Sequence, residues 1–262
     1  MKSFKLIGTG PRKVMLLPGL LGTRDAFDEM LRWADLEAFQ YVVVEYRGYG
    51  QMRHEPGLRT LREVVIDATR LADFLGWTSF AVAGHSLGAL AAQMLALALP
   101  RRVDAIVSIA GMSARGGSRD AARLALLREA AISPERRADL VAAGTARRYT
   151  DAFARAVVNS TWTAIDGEAF LSYALDANHT DIHAQVEGSE MPIHVLIGEH
   201  DAVNSEAVAR DTTLKWYRRA TLQVLAGAGH YPMLETPPVT TAALESFLRE
   251  GLRAKAVSAT AV

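Results

Sequence analysis

Runs of Val, Ile, Leu, Ala and aromatic residues recur without polar alternation near residues 13–17, 41–46, 79–84, 103–109, 193–198 and 221–225, with a shorter run at Phe4–Ile7. A strand with one wet face alternates apolar and polar positions, so unbroken apolar runs mark strands covered on both faces of a parallel sheet. Segments with apolar positions at helical intervals separate these runs: Asp25–Ala38, Leu61–Gly76, Ala89–Leu99, Ser205–Arg219 and Pro238–Arg253. Such alternation predicts an α/β protein built on a doubly wound, mostly parallel sheet. Only about a dozen residues precede Val14, so any hairpin that opens the sheet is short.

The interval between the runs ending at Ile109 and beginning at Ile193 is too long for one crossover helix, and its pattern is helical. Apolar positions repeat at helical spacing over 118–131, 134–143, 146–159 and 167–177, and Ser133-Pro134 and Asp166-Gly167 have the chemistry of helix starts. This divides the chain into a core of residues 1–111 and 188–262 and an insertion of residues 112–187. Charge within the insertion is uneven: residues 115–155 hold nine arginines against five acids, and residues 156–187 hold five acids with no Lys or Arg. Solvated faces of amphipathic helices account for most of this, and a guanidinium reaching an anionic substrate group is the alternative. Trp162, Phe153, Phe170 and Tyr173 are expected to fill the interior of the insertion.

Composition narrows the chemistry. The 262 residues are 50% hydrophobic and carry 29 basic and 29 acidic side chains, so no net field recruits nucleic acid or an anionic membrane surface. The absence of cysteine removes a thiolate nucleophile, a disulfide framework and Cys-ligated metal. Residues 1–11 lack a signal-like apolar stretch and no run of about 20 apolar residues occurs, so a cytoplasmic location is the expectation.

The chemistry concentrates at Gly84-His85-Ser86-Leu87-Gly88, which follows the apolar run Phe80–Ala83 and precedes the helix-favouring run Ala89–Leu99. A serine at the tip of a tight strand-to-helix turn needs neighbours without a clashing side chain two residues to either side. The following helix points its first N–H groups at the place where an anionic intermediate would form. Strand, G-x-S-x-G and helix in this order, together with other segments in matching sequence, resemble the α/β-hydrolase family. Pro18-Gly19-Leu20-Leu21-Gly22, after the strand at 13–17, is similar to the family's oxyanion loop, although many relatives have His-Gly where this chain has Pro-Gly. The resemblance implies backbone N–H donors at Leu20 and Leu87. It also implies a catalytic order of Ser86, Asp201 and His230, with Asp201 favoured over Glu199 and Asp211 by the family's G-x-x-D spacing after Gly198. The insertion resembles the family's helical cap, which roofs the site and selects the substrate.

Glu45-Tyr46-Arg47-Gly48-Tyr49-Gly50-Gln51 resembles another family loop, with Glu for the usual Asp and Gln for the usual Ser, and is expected to be a turn with Arg47 paired internally. His85 is the variable residue of the elbow, expected to be structural with its side chain away from the chemistry. His179 and His183 are spaced i, i+4 without a third ligand signature, so no metal site is expected. Gly8-Thr9-Gly10 lacks the rest of a dinucleotide fingerprint, and no cofactor is expected. The resemblance therefore implies a serine hydrolase acting on a small-molecule ester of an organic acid through an acyl-enzyme. Lactones, thioesters and C–C bonds are alternatives on the same three residues, and cofactor-free peroxidation, lyase chemistry or non-hydrolytic binding on the same fold are more distant.

Overall fold

The computed structural model describes residues 3–260. The seven apolar runs form strands β1 (Phe4–Ile7), β2 (Arg12–Leu17), β3 (Phe39–Val44), β4 (Phe80–His85), β5 (Val103–Ile109), β6 (Ile193–Gly198) and β7 (Ala220–Leu225). They join in one sheet of order β1-β3-β2-β4-β5-β6-β7. All pairings are parallel except that of β1, which runs antiparallel to β3 with Phe4 opposite Val44. The expected short hairpin is therefore absent. The link from β1 to β2 crosses the start of β3, where the Thr9 and Gly10 N–H groups donate to the carbonyls of Leu36 and Phe39 at 3.0 and 3.1 Å.

Burial follows position in the sheet. Every residue of β4 and of β6 is buried, as their unbroken apolar runs require. At the sheet edge β7 leaves several side chains exposed, Gln223 among them.

Helices α1 (Asp28–Leu31), α2 (Leu61–Phe74) and α3 (Leu87–Ala98) precede the long interval; α4 (Ala121–Ile132), α5 (Pro134–Gly144), α6 (Asp151–Thr161), α7 (Gly167–His179) and α8 (His183–Val186) occupy it. After it come α9 (Glu206–Asp211), α10 (Thr213–Trp216), α11 (Pro232–Glu235) and α12 (Pro237–Thr260). One face of the sheet packs Met15, Val82 and Ile106 against Val64, Leu90 and Leu95 of α2 and α3. The other packs Val14, Leu16 and Ala81 with Met30 and Leu31 of α1 and Leu244 and Leu248 of α12.

Two predicted helices are broken. The segment 25–38 keeps a single α turn, because the Asp35 carboxylate captures the Ala38 N–H at 3.0 Å while the Asp35 N–H leaves the helix to donate to Glu245 at 2.8 Å. Asp side chains favour such local turns over a helix interior. The segment 205–219 divides at Thr212, whose φ of −127° and ψ of −91° are not helical.

Four expected helices of the insertion are present, each opened by a polar residue. Asp120 accepts from the Ala122 and Arg123 N–H groups, Ser133 from Arg136 and Asp166 from Ala169. Phe170 and Tyr173 are fully buried, and Tyr173 packs on Tyr46 and Tyr49 with ring centroids 5.5 and 5.6 Å apart. The Arg137 guanidinium lies 4.4 Å from the ring centroids of both Trp162 and Phe170. Phe153 differs, since its ring lines a cavity. His179 ends α7 and His183 begins α8, with Thr180 extended between them, so their spacing does not set them on one helix face. Among the described residues no helix is long and apolar enough to cross a membrane.

Arg47 is paired internally: Nε and Nη2 donate to the two carboxylate oxygens of Asp67 at 2.7 and 3.0 Å, and Nη1 donates to the Pro56 carbonyl at 2.7 Å. A lysine cannot reproduce that fork. Arg47→Lys is expected to lower unfolding free energy by about 1–2 kcal/mol, read from urea midpoints at unchanged slope.

Candidate active site

Ser86 sits between the fully buried β4 and the start of α3 with φ 53° and ψ −119°. This conformation is costly for a residue with a side chain and persists only where its surroundings dictate it. Here the Ser86 N–H donates to the Ile109 carbonyl at 3.1 Å, and the Ser86 carbonyl accepts from Ala89 and Met112, each at 3.0 Å. A side chain at Gly84 would run into the backbone of Gly88, and one at Gly88 into the carbonyls of Leu17 and Pro18. The Ser86 side chain does not cap α3. Its hydroxyl is left for another partner.

That partner is His230, on the loop between β7 and α11, whose Nε2 lies 3.1 Å from Ser86 Oγ. His230 Nδ1 is 3.0 Å from Asp201 Oδ2, just past the end of β6. A carboxylate can only accept, so Nδ1 carries the hydrogen and Nε2 presents its lone pair to the serine hydroxyl. Asp201 Oδ1 is fixed by the N–H groups of Val203 and Asn204 at 2.8 and 2.9 Å. Asp201 and His230 are both buried. The other two acids lie elsewhere: Glu199 accepts from the Gly227 N–H at 2.9 Å, and Asp211 pairs with Lys215 on the surface at 3.0 Å. Asn204, unmarked in the sequence reading, also donates to the Ala110 carbonyl at 2.7 Å and so ties the acid's loop to the end of β5. Its position three residues after Asp201 is the only sequence signal for it.

Leu20 lies in the loop after β2 and Leu87 is the first residue of α3; both line the cavity over Ser86. Among the described residues neither backbone N–H has a protein acceptor, which leaves both available to a ligand oxygen.

His85 is structural, as expected, but its side chain does not turn away from this cluster. Its Nε2 donates to the His230 carbonyl at 2.7 Å, and its ring lies 5.1 Å from that of His230 and 5.6 Å from that of Tyr231. The opposite ring edge presses on Gly19, where any side chain would collide with it. One imidazole thus braces the serine turn, the histidine loop and the glycine loop together. Burial, then the nearby His230, push its pKa down to about 3.

The cavity over Ser86 encloses about 130 Å³. The insertion supplies much of its wall, including Met112, Leu127, Leu140 and Ala177, and Arg123 is among the lining residues. A second cavity of about 420 Å³ lies beyond Leu21, His85 and Tyr231, walled by Phe153 and Val157 of α6 and by Met233.

Residues 14–244 match the model of the alpha/beta hydrolase family. The chain belongs to that family and is an enzyme of it. A serine hydrolase-like protein of Homo sapiens is 29% identical over 96 residues, which is 36% of this chain and 47% of that protein. A serine hydrolase-like protein of Dictyostelium discoideum is 25% identical over 100 residues, 37% of this chain and 28% of that protein. The matched stretch is thus under half the length of either relative. Among solved structures, a thermophilic esterase from Thermogutta terrifontis superposes with a TM-score of 0.82 at 22% identity, covering 95% of this chain and 93% of the other. The enol-lactonase from Burkholderia xenovorans gives 0.81 at 20% identity, covering 94% and 96%. These similarities show a shared fold, and the fold alone does not choose between ester and lactone.

The bracing histidine gives a pH prediction. His85 has a folded pKa below that of an unfolded histidine near 6.5, so the unfolded chain binds the extra proton between about pH 6.5 and pH 3. Its contribution to stability is whole above pH 6.5 and is lost as pH falls towards 3. In urea titrations, wild type should lose more stability between pH 7.5 and 5 than His85→Asn does.

Proposed function

We propose that this enzyme hydrolyses esters of small organic acids, with Ser86 as nucleophile, His230 as general base and acid, and Asp201 as the group that orients the imidazole and stabilises the imidazolium. The observation that carries the reading is the unbroken relay from Ser86 Oγ to His230 Nε2 at 3.1 Å and from His230 Nδ1 to Asp201 Oδ2 at 3.0 Å, beginning at a serine held in a strained elbow. A free serine hydroxyl is a weak nucleophile at neutral pH, so a base in hydrogen-bond reach is what makes it useful.

In this reading Ser86 Oγ attacks the ester carbonyl while its proton passes to His230 Nε2. The imidazolium is stabilised by Asp201, and the new oxyanion accepts hydrogen bonds from the N–H groups of Leu20 and Leu87. Collapse of the tetrahedral intermediate breaks the bond to the alcohol oxygen, which takes the proton from His230. The acyl group stays on Ser86. Water then repeats the sequence: it gives a proton to His230, attacks the acyl carbon and releases the acid, and Ser86 recovers its proton.

Residues 1–111 and 188–262 form the catalytic core in this proposal, and residues 112–187 form the cap. Support for the cap comes from the cavity wall, where Leu127, Leu140 and Ala177 of the insertion line the same cavity as Ser86 and His230. The small volume suits a short acyl group.

Ser86→Ala should fold normally and lose on the order of 10⁴- to 10⁶-fold in kcat towards a short activated ester. Asp201→Asn is also expected to cut kcat severely, and adding it to Ser86→Ala should cost little more, since residues acting as one unit are not additive. A Ser86→Ala enzyme that kept a tenth of the wild-type rate would remove the nucleophile assignment.

A further inference from the structure

We infer that the natural substrate carries a carboxylate besides the scissile ester, and that the guanidinium of Arg123 binds it. The inference rests on the ester-hydrolase reading and names the substrate class for the same cavity.

Arginines are frequent in the insertion, and the structure sorts them by partner. Arg115 lies over the Trp216 ring at 5.4 Å, and Arg119 donates to the carbonyls of Asn178 and His179, both at 3.2 Å. Arg136 pairs with Glu129 at 3.0 Å, Arg137 is sandwiched between aromatic rings, and Arg148 pairs with Glu235 at 2.6 Å. Arg123 is different. It is half-buried and lines the cavity with Ser86 and His230, and among the described residues no carboxylate or carbonyl accepts a hydrogen bond from its guanidinium.

A cation withdrawn from water without a partner is unfavourable, and burial lowers the affinity of this guanidinium for its proton. The site on the chain adds to the cost, because Arg123 is in the first turn of α4, where the helix dipole disfavours positive charge. Asp120 offsets part of this as the helix cap, accepting from the backbone N–H of Arg123 at 3.2 Å, but it does not pair with the side chain. Among the described residues no aspartate or glutamate lines the cavity. The polar residues that line it with Arg123, among them Ser118, Asn178 and Tyr231, are not anionic at neutral pH. An unpaired cation in a cavity otherwise free of charged side chains is a complement for an anion supplied from outside.

A guanidinium forks onto two oxygens, and that geometry fits a carboxylate. The cavity is small, so carboxylate and ester belong to one short molecule, such as the monoester of a dicarboxylic acid. Binding then uses Arg123 at one end and the N–H groups of Leu20 and Leu87 at the other. The four donors fix where the carbonyl carbon lies relative to Ser86 Oγ, an orientation that a neutral ester of equal length lacks.

The test compares p-nitrophenyl hydrogen glutarate with its methyl diester, the same chain with the charge removed. Wild type should prefer the anionic ester in kcat/KM, and Arg123→Ala should lower the anionic-to-neutral ratio by about 10- to 100-fold. Arg123→Lys keeps part of the preference, and Arg119→Ala leaves the ratio where it was. A ratio unchanged in Arg123→Ala overturns the inference while the hydrolase reading stands. Turnover of neither ester, with no labelling of Ser86 by a serine-directed phosphonate, overturns the hydrolase reading instead. Binding keeps the two apart: calorimetric titration of monomethyl glutarate into Ser86→Ala should show affinity that Ser86→Ala/Arg123→Ala lacks, and equal affinity for both proteins removes the Arg123 assignment whatever the kinetics show.

Discussion

The structure turns on the backbone of Ser86, which holds a positive φ that a side-chain-bearing residue adopts at a cost of about 1–3 kcal/mol. Such a conformation survives only where the chain on every side leaves no alternative. β4 lies between β2 and β5, and the parallel pairing of all three carries the carbonyls of Leu17 and Pro18 up to Gly88 and the Ile109 carbonyl up to the Ser86 N–H. α3 starts at the next residue and buries Leu87, Leu90 and Leu95 beneath it. The sheet and helix thus hold the strain, and the serine hydroxyl stands clear of them towards the loops that follow β6 and β7.

The sheet was legible because a strand covered on both faces leaves a mark that no other element leaves, an apolar run without alternation. β4 and β6 read correctly for that reason. The first long helix did not, since its pattern of apolar residues is helical through Ala38 and the polar residue that ends it, Asp35, gains its decisive partner from Glu245, 210 residues away. The break at Thr212 has no warning glycine or proline. Ser86, Asp201 and His230 were named from order and motif, and the fold brings those three into one hydrogen-bond chain. His85 could be seen as structural but not aimed, because its partner is a backbone carbonyl 145 residues further on and any residue type could have supplied it.

The insertion illustrates the same limit with charge. Its sequence offers Arg115, Arg119 and Arg123 as near equals. Only tertiary contacts separate them, by giving an aromatic ring to the first and carbonyls to the second while leaving the third facing the cavity. Composition counts cations; it does not say which of them have been neutralised.

Glu245 and Thr241 of α12 have a consequence for how the chain comes together. Glu245 accepts from the buried Tyr41 hydroxyl at 2.7 Å as well as from the Asp35 N–H, and Thr241 donates to the Met30 carbonyl at 2.8 Å. These contacts join residues about 200 positions apart and cover one face of a sheet whose first strands leave the ribosome long before. Closing so wide a loop delays the reward of those pairings. During synthesis the apolar face formed by Val14, Leu16 and Val43 therefore has only the residues around α1 to cover it until α12 emerges, and that interval is when this chain is most open to aggregation.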